Sequence, residues 1–190
     1  KVDIASGRFS AKRSLVEDGT LSPSSFCCIF ARERGRDGAL VFAAMRASDA
    51  VLAQVDAETL EPRTALSVDA GLWGLVVRHE PDAVAYVSQE HASEILRVPL
   101  DGGAVDVWAT GAPRSTLYHD PARDRILVLQ RHRGRLQSLT PTGELEREWL
   151  VGSSPSSLVV GAERYYVLSA QGLVSVDPDV GATGRGKRLD

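Results

Sequence analysis

A short phrase, a proline followed by a polar residue and a serine, returns along the chain ahead of apolar runs. It stands at Pro23, Pro113 and Pro155. From Pro113 to Pro155 is 42 residues, and from Pro23 to Pro113 is 90, which is two steps of 45. The middle copy falls at residues 71–77, where Leu72 replaces the proline. Self-similarity at a step of about forty residues predicts a repeat architecture, which restricts the chain to solenoids, propellers and related arrays.

The segment 114–144 indicates what one repeat contains. Short apolar runs are separated by turn residues, which are Asp120-Pro121, Gly134, and the Pro-Thr-Gly sequence that ends at Gly143. A further apolar run follows directly. Four strands within about forty residues are typical of one propeller blade. The predicted strands are 115–119, 126–130, 135–140 and 145–151.

The other copies repeat this order of strands and turns. First strands such as 26–30 and 75–77 are almost entirely apolar, as expected for strands buried on both faces. Fourth strands such as 145–149 alternate with period two, as half-exposed strands do. The predicted fold is therefore all-β, a β-propeller of four-stranded antiparallel blades in a single domain. Its divisions are a partial blade at 1–20 and blades at 21–68, 69–110, 111–151 and 152–190.

About four and a half blades leave an open sheet edge, which must be covered to avoid aggregation. Three solutions are possible. The N-terminal strands complete the last blade, whose end at 183–188 is glycine-rich and a poor strand, or a partner or second chain supplies the missing blades, or the chain is part of a longer propeller. The last two are favoured, because residues 1–16 have the pattern of the second half of a blade.

Composition excludes several classes of function. The net charge of −3 argues against a nucleic-acid partner, and no apolar run approaches the roughly 20 residues of a membrane span. The adjacent Cys27 and Cys28 are interpreted as reduced thiols within a strand, because neighbours bridge poorly. The chain begins at Lys1 rather than Met, and the sequence assigns no compartment.

Several segments resemble known propeller repeats. Residues 118–129 with 135–143 look like an NHL repeat, and residues 84–88 with 94–102 are similar to the YWTD and NHL patterns. The Pro-polar-Ser phrases resemble those of YVTN and NHL families. The resemblance covers about residues 21–181 and points to an architecture more than to one family, since residues 86–89 replace the YWTD tetrad. These families imply mainly protein or nucleic-acid scaffolds, with enzymatic cousins among SMP-30-like lactonases, strictosidine-synthase-like proteins and streptogramin lyases.

The resemblance also bears on cofactors. The lactonase-type cousins hold a divalent ion in the channel with carboxylates and asparagines, and this chain has no Asn. No metal site carries over, and no cofactor is predicted. A Ca²⁺ or Mg²⁺ site made only of carboxylates and carbonyls is the alternative.

Propeller ligands usually meet the face formed by the loops between fourth and first strands and between second and third strands. Trp73 is the strongest candidate there, because Ser24, Arg114 and Ser156 stand at the aligned positions. An aromatic ring with Arg and His groups suits an acidic peptide or a small anion, whereas the alternative is a solvated rim. The predicted ligand-binding face comprises Trp73, Glu90, His91, Arg114, Arg131, His132 and Arg133.

These observations predict an interaction platform that binds a protein or small anionic ligand on the loop face. The alternative is a metal-dependent propeller enzyme of the hydrolase or lyase type, in which His91 or His132 is a candidate general base. His79-Glu80 and His119-Asp120 recur forty residues apart, which favours a structural role in turns. The predicted partner is a protein or a second chain that completes the propeller.

Overall fold

A computed structural model describes the chain in parts. The backbone is described for residues 2–3, 8–9, 26–34, 39–46, 50–56, 59, 62–68, 71–79, 81–180, 183–185 and 187–188. Side chains are described for residues 52, 54, 56, 59, 71–79 and 81–180. The predictions for the Pro23 phrase, the Cys27 and Cys28 thiols, Glu80 and most of residues 1–20 lie outside these ranges.

Every regular element in the described ranges is a β-strand, which confirms the predicted all-β class. A short pair comprises β1 (Val2–Asp3) and β2 (Arg8–Phe9). Blade 1 comprises β3 (Phe26–Arg34), β4 (Ala39–Arg46), β5 (Ala50–Asp56) and β6 (Pro62–Val68). Blade 2 comprises β7 (Leu72–Arg78), β8 (Val84–Gln89), β9 (Glu94–Pro99) and β10 (Asp106–Thr110).

The second half of the chain continues the series. Blade 3 comprises β11 (Thr116–Asp120), β12 (Arg125–Gln130), β13 (Arg135–Leu139) and β14 (Leu145–Leu150). Blade 4 comprises β15 (Ser157–Val160), β16 (Tyr165–Ser169), β17 (Gly172–Val176) and β19 (Lys187–Arg188), while β18 (Thr183–Arg185) runs parallel to β14 at the edge of blade 3. The glycine-rich end of the chain thus forms two short strands on two sheets instead of one long one.

Within each blade the four strands pair antiparallel in chain order. The innermost strands β3, β7, β11 and β15 contact one another in the same order, so the blades follow one another around a common axis. No described residues form a helix long and apolar enough to cross a membrane.

The core lies between the blades, which explains why first strands are apolar on both faces. Along β7, Leu75 and Val77 join a cluster with Leu52 of blade 1. Val76, which points the other way, joins Ile126 and Val128 of blade 3. Because successive strand residues face opposite sides, each inner strand contributes to two cores and needs apolar residues throughout.

Two tryptophans at equivalent points of the outer strands also pack between blades. The Trp108 ring lies 4.5 Å from the Tyr86 ring, and its indole N–H donates to the Pro141 carbonyl of blade 3 at 2.8 Å. Trp149 meets Tyr165 of blade 4 edge to face, with ring centroids 6.0 Å apart. Both indoles therefore contribute to packing rather than to a ligand site, as their recurrence predicts.

Candidate functional site

The two loop sets that were expected to share a face are hydrogen-bonded to each other. The Arg114 amide, between blades 2 and 3, donates to the Gln89 carbonyl at 2.9 Å. The Val151 amide, between blades 3 and 4, donates to the Gly134 carbonyl at 2.9 Å. The loops between fourth and first strands and those between second and third strands therefore lie at one end of the blades, which we call the loop end.

Trp73 is aimed by an irregularity in its strand. Leu72 pairs with Gln89 and Gly74 with Ser88, so Trp73 is the extra residue of a β-bulge. A bulge turns its side chain away from the regular alternation, and such bulges are common next to binding sites. The strand pairing thus shows that Trp73 is an inserted residue. In the alignment of the repeats, by contrast, Trp73 occupied the position equivalent to Arg114.

Trp73, Glu90, His91 and Arg114 come together at the junction of blades 2 and 3, and we call them the Trp73 cluster. The Arg114 guanidinium lies 5.3 Å from the centre of the Trp73 ring and donates to the Glu90 carboxylate at 2.5 Å. The His91 Nε2 atom lies 3.8 Å from the same carboxylate. Glu90 thus compensates the charge of Arg114, so this cluster is not a simple anion site.

Arg131, His132 and Arg133 form a separate group at the junction of blades 3 and 4, which we call the basic loop. They line an open concavity of about 470 Å³ together with Ser153 and Ser154. All three are exposed, and none has an ion pair with any described residue. The structure therefore divides the seven predicted residues into one charge-compensated cluster and one uncompensated basic loop.

The shape of the concavity depends on glycines with left-handed backbones. Gly134 has a φ of +63°, and a Cβ atom there would lie 2.4 Å from the Gly152 carbonyl oxygen. Gly152 itself has a φ of +90°. On the far side, the Ser153 amide donates to the Gln171 side-chain oxygen at 2.7 Å. Only glycine allows the two loops to approach this closely, so the concavity is formed by backbone that cannot vary freely.

The next basic residue along the chain is neutralised. Arg135 donates to Glu148 at 2.6 Å, and Glu148 also accepts from Gln137 at 2.8 Å. Gln137 in turn accepts from the buried Gln130 at 2.6 Å. This network of hydrogen-bonded side chains compensates the positive charge of Arg135. It does not include Arg131 or Arg133, so the positive charge of the basic loop remains uncompensated.

The opposite end of the blades, which we call the turn end, carries a cavity that the sequence did not indicate. It has a volume of about 980 Å³ and lies where the innermost strands of blades 2, 3 and 4 end. Apolar residues such as Leu117 and Val160 form most of its wall. Its polar part includes Arg78, His79, His119 and Asp124.

The polar part of this cavity is an ion pair between blades. Arg78 donates to both carboxylate oxygens of Asp124, at 2.7 and 3.0 Å, and this lowers the pKa of Asp124. His119 Nε2 lies 3.8 Å from Asp124, has no hydrogen-bond partner, and is buried. Burial lowers the pKa of His119, although the nearby carboxylate acts in the opposite direction. The imidazole is therefore neutral near pH 7.

Asp120 fastens blade 3 to blade 4 at the turn end. Its buried carboxylate accepts from the Tyr165 hydroxyl at 2.5 Å, the Ala122 amide at 3.1 Å and Arg123 at 3.3 Å. Burial and the hydrogen bond to Asp120 raise the pKa of Tyr165. In the His119-Asp120 pair, Asp120 thus has the structural role that the repetition of the pair indicated. His119, in contrast, lines the cavity at the turn end.

Sequence reasoning missed the Arg78–Asp124 pair because the two residues are 46 positions apart and belong to different repeats. One signal could have been used: in residues 120–125, an Asp-Pro turn is followed by three further charged residues. Within the described ranges, no group of three or more His, Cys, Asp or Glu side chains is arranged to hold a metal ion.

Comparisons with known proteins bear on the fold. No family model matches the sequence, and no curated protein matches it. A calcium-binding protein, regucalcin from Agrobacterium tumefaciens, is similar in structure with a TM-score of 0.59 at 17% identity over 85% of this chain and 64% of that one. A streptogramin B lyase matches with a TM-score of 0.63 at 12% identity over 95% and 62%.

Hydrazine synthase from Kuenenia stuttgartiensis matches with a TM-score of 0.71 at 12% identity over 87% of this chain and 50% of that one. This chain spans less than two thirds of the length of these three proteins. At such identities the likeness concerns the fold alone. Together with the four-stranded sheets described above, it shows that the chain folds as blades of a β-propeller.

Proposed function

We propose that this protein is an interaction propeller that binds an acidic ligand, either carboxylates of a protein partner or a small anion, at the basic loop. One observation carries the proposal: Arg131 and Arg133 are exposed around a concavity and have no ion pair with a described residue. Most other described arginines are paired, as Arg125 is with Glu146 at 2.6 Å. Uncompensated guanidinium groups beside a concave surface are suited to carboxylate or phosphate oxygens.

The groups around the concavity suit an anion chemically. Two guanidinium groups flank an imidazole, and the Ser153 hydroxyl accepts a hydrogen bond from the Gln171 amide. Because that hydroxyl already accepts, its own proton is available for a ligand oxygen. The site is open to solvent, so binding is expected to be moderate in strength and to weaken as salt screens the charges.

The Trp73 cluster is the second part of the predicted ligand face, and it has a different role in this proposal. Because Glu90 holds Arg114 beside the Trp73 ring, the cluster offers an ordered aromatic surface with little net charge. A protein partner long enough to reach from one blade junction to the next would rest on this surface while its carboxylates meet the basic loop. A small anion would use the basic loop alone.

The experiment is titration calorimetry with a hexaglutamate peptide and, separately, with inorganic phosphate at low salt. Changing Arg131→Gln together with Arg133→Gln is expected to weaken peptide binding at least about tenfold, since two charge-assisted contacts are lost. Arg97→Gln is the control for the loss of one positive charge elsewhere in the protein, because Arg97 lies in β9 of blade 2, 3.5 Å from Asp106.

The outcomes separate the two parts of the face. Loss of binding in Arg114→Gln but not in the double variant would move the site to the Trp73 cluster. Equal affinity in all variants would overturn the proposal. Binding of phosphate but not of the peptide would identify a small-anion site.

Two further predictions from the sequence stay proposals. The similarity to NHL, YVTN and YWTD repeats concerns short sequence patterns within the blades, and no family model matches the chain. The alternative function, a metal-dependent propeller enzyme, is tested by measuring bound Ca²⁺ and Mg²⁺ on purified protein. Stoichiometric metal with loss of stability on chelation would favour the enzyme.

A further inference from the structure

The inner edges of blades 2, 3 and 4 form the wall of the cavity at the turn end. Val76 and Val77 are neighbours in β7 and belong to different core clusters, so they face opposite sides of the strand, yet both line the cavity. The cavity therefore lies against the edge of β7 rather than against one of its faces. Leu117 of β11 and Leu158 of β15 extend the wall to the next two blades.

This wall is held in place by the cores behind it. Val76 is 3% exposed, Val77 2% and Leu117 4%, because most of each side chain packs between blades. Close packing of those cores keeps the wall from moving inward. The cavity is therefore preformed, and its volume of about 980 Å³ is typical of small-molecule sites, which span about 300–1,000 Å³.

The ion pair of the cavity contributes no net charge. Arg78 donates to both carboxylate oxygens of Asp124. The Asp124 side chain is 49% exposed and would repel a ligand carboxylate, whereas Arg78 would repel a ligand cation. The imidazole of His119 is neutral near pH 7, because burial lowers its pKa. These groups favour an uncharged ligand over an ionic one.

Tyr118 supplies a hydrogen-bond donor at the wall. Its hydroxyl accepts from the Leu158 amide at 3.2 Å and donates to no described residue. Burial raises the pKa of Tyr118, so the hydroxyl keeps its proton near pH 7. Because Tyr118 and Leu158 both line the cavity, this proton is available to a ligand oxygen.

The strand edges add backbone groups to the same wall. The inner strands β7, β11 and β15 each stand at one end of the strand order of their sheet. A strand in that position presents N–H and C=O groups that its own sheet does not pair. The wall thus combines apolar side chains with a few hydrogen-bonding groups, which is the usual composition of a small-molecule site.

We propose that the cavity at the turn end binds an uncharged small molecule with an apolar body and a carbonyl or hydroxyl oxygen. The apolar body lies against the valine and leucine side chains of the inner strands, and the oxygen accepts from the Tyr118 hydroxyl. This site uses residues of blades 2, 3 and 4 only. It is separate from the basic loop, which lies at the loop end and takes anions in the proposed function.

The probe for the experiment is Nile red, an uncharged dye with an apolar ring system and a ring carbonyl. Its fluorescence rises when it leaves water, so a titration reports its affinity. Val160→Trp should weaken binding at least about tenfold, because the larger side chain takes up part of the cavity. Val159→Trp is the matched control, since Val159 is the adjacent residue of β15, is 64% exposed and does not line the cavity.

A second substitution tests the hydrogen bond. Tyr118→Phe removes the donor and keeps the aromatic ring, and it should weaken Nile red binding about fivefold, the size expected for one hydrogen bond. Tyr166→Phe is its control, because Tyr166 lies in β16 of blade 4 and does not line the cavity. Circular dichroism of every variant checks that the blades remain folded.

An anionic dye, anilinonaphthalene sulfonate, tests the preference for an uncharged ligand. It should bind the cavity at least about tenfold more weakly than Nile red, because its sulfonate meets the Asp124 carboxylate. Sulfonate dye that binds the basic loop instead is recognised by its loss in the Arg131→Gln and Arg133→Gln double variant. Failure of the cavity proposal and failure of the proposed function are thereby distinguished.

The results separate the possible outcomes. Nile red binding that weakens in Val160→Trp and Tyr118→Phe but not in the two controls supports the proposal. Failure of the wild-type protein to bind Nile red overturns it, and so does equal affinity in Val160→Trp and Val159→Trp, because the dye then lies elsewhere. If Val160→Trp alters the circular dichroism, the comparison of Tyr118→Phe with Tyr166→Phe decides. Sulfonate dye that binds as tightly as Nile red and is displaced by Val160→Trp also overturns the proposal.

Discussion

The turn end and the basic loop at the loop end use arginine in opposite ways. At the turn end, Arg78 of blade 2 is held by Asp124 of blade 3. Arg123 of blade 3 pairs with Asp120 of its own turn and with Asp179, which follows β17 of blade 4. At the loop end, Arg131 and Arg133 have no ion pair with a described residue. The difference indicates that charge at the turn end stabilises the junctions between blades, whereas charge at the basic loop is available to a partner.

The physical reason is burial. Asp120 is buried with its three hydrogen bonds, and a buried carboxylate without partners would be costly. Exposed guanidinium groups cost little in water and need no partner. The comparison can therefore be tested by substitutions that affect stability at one end and binding at the other.

The largest effect is expected for Asp120→Ala. The substitution leaves the Tyr165 hydroxyl and the Ala122 amide without an acceptor and Arg123 with one partner fewer, at a cost of about 3 kcal/mol in the free energy of unfolding. Urea denaturation measures it. Asp179→Ala is the control, because exposed Asp179 pairs with the same arginine at 3.1 Å and its loss should change little. Equal losses of unfolding free energy in the two variants would show that the ion pairs of Arg123, rather than the other hydrogen bonds of Asp120, stabilise this junction.

Gly134→Ala tests the backbone of the loop end. The left-handed φ and the contact of its Cβ atom with the Gly152 carbonyl should together cost about 2 kcal/mol and weaken binding of the hexaglutamate peptide. In Gly102→Ala the φ is +96° but nothing lies within 4 Å, so that variant should lose about half as much and leave binding unchanged. Similar losses would mean that close approach of the two loops is unimportant.

A matched pair of arginine substitutions compares the ends directly. Arg78→Gln removes the bidentate contact with Asp124 and should cost about 1 kcal/mol, allowing for the partial exposure of that carboxylate. Arg131→Gln should change stability by less than about 0.5 kcal/mol. Thermal and urea unfolding of both variants check this order, and a reversed order would contradict the division between the two ends.

The smallest effect concerns the dependence of stability on pH. Burial lowers the pKa of His119 in the folded protein, so the unfolded chain binds the proton more tightly. Stability should therefore fall as pH decreases below about 6.5, the ordinary histidine value, until His119 is also protonated in the folded state. His119→Gln should remove this part of the slope.

Asp124 contributes in a lower window. Arg78 lowers the pKa of Asp124, so its stabilisation is present above the ordinary carboxyl range and is lost as pH falls through the folded value. This loss should remain in His119→Gln. Unfolding free energies measured between pH 3 and 8, roughly the span of the two groups, separate them, and parallel curves for wild type and variant would contradict the role of His119.

Much of the fold could be predicted from the sequence because the strands and turns of a blade depend on residues that are close together in the chain. In blade 3 the predicted strand 126–130 corresponds to Arg125–Gln130, and the predicted 135–140 to Arg135–Leu139. Strand alternation and turn residues act over a few positions, so the repeat makes them visible four times. The end of the chain was less predictable, because β18 pairs with blade 3 across more than thirty residues.

The candidate site was predictable only as a set of residues on shared loops. The repeat placed Trp73 and Arg114 at one end, but it contained no information that Glu90 neutralises Arg114. Nor did it reveal the cavity at the turn end, whose polar residues come from two repeats. Side-chain pairing depends on distances across blade junctions, and these are set by packing rather than by spacing along the chain.

The sequence by itself determined the unit of this protein: a four-stranded blade of about forty residues, repeated with apolar inner strands. It did so because the period of strands and turns is a local property of the chain. Only the tertiary structure decided which charges are compensated and which apolar side chains are covered. Those properties depend on what lies beside each blade: Leu136 of β13 and Leu173 of β17 each pair with a leucine of the preceding strand, yet Leu136 is buried against blade 4 and Leu173 is 40% exposed.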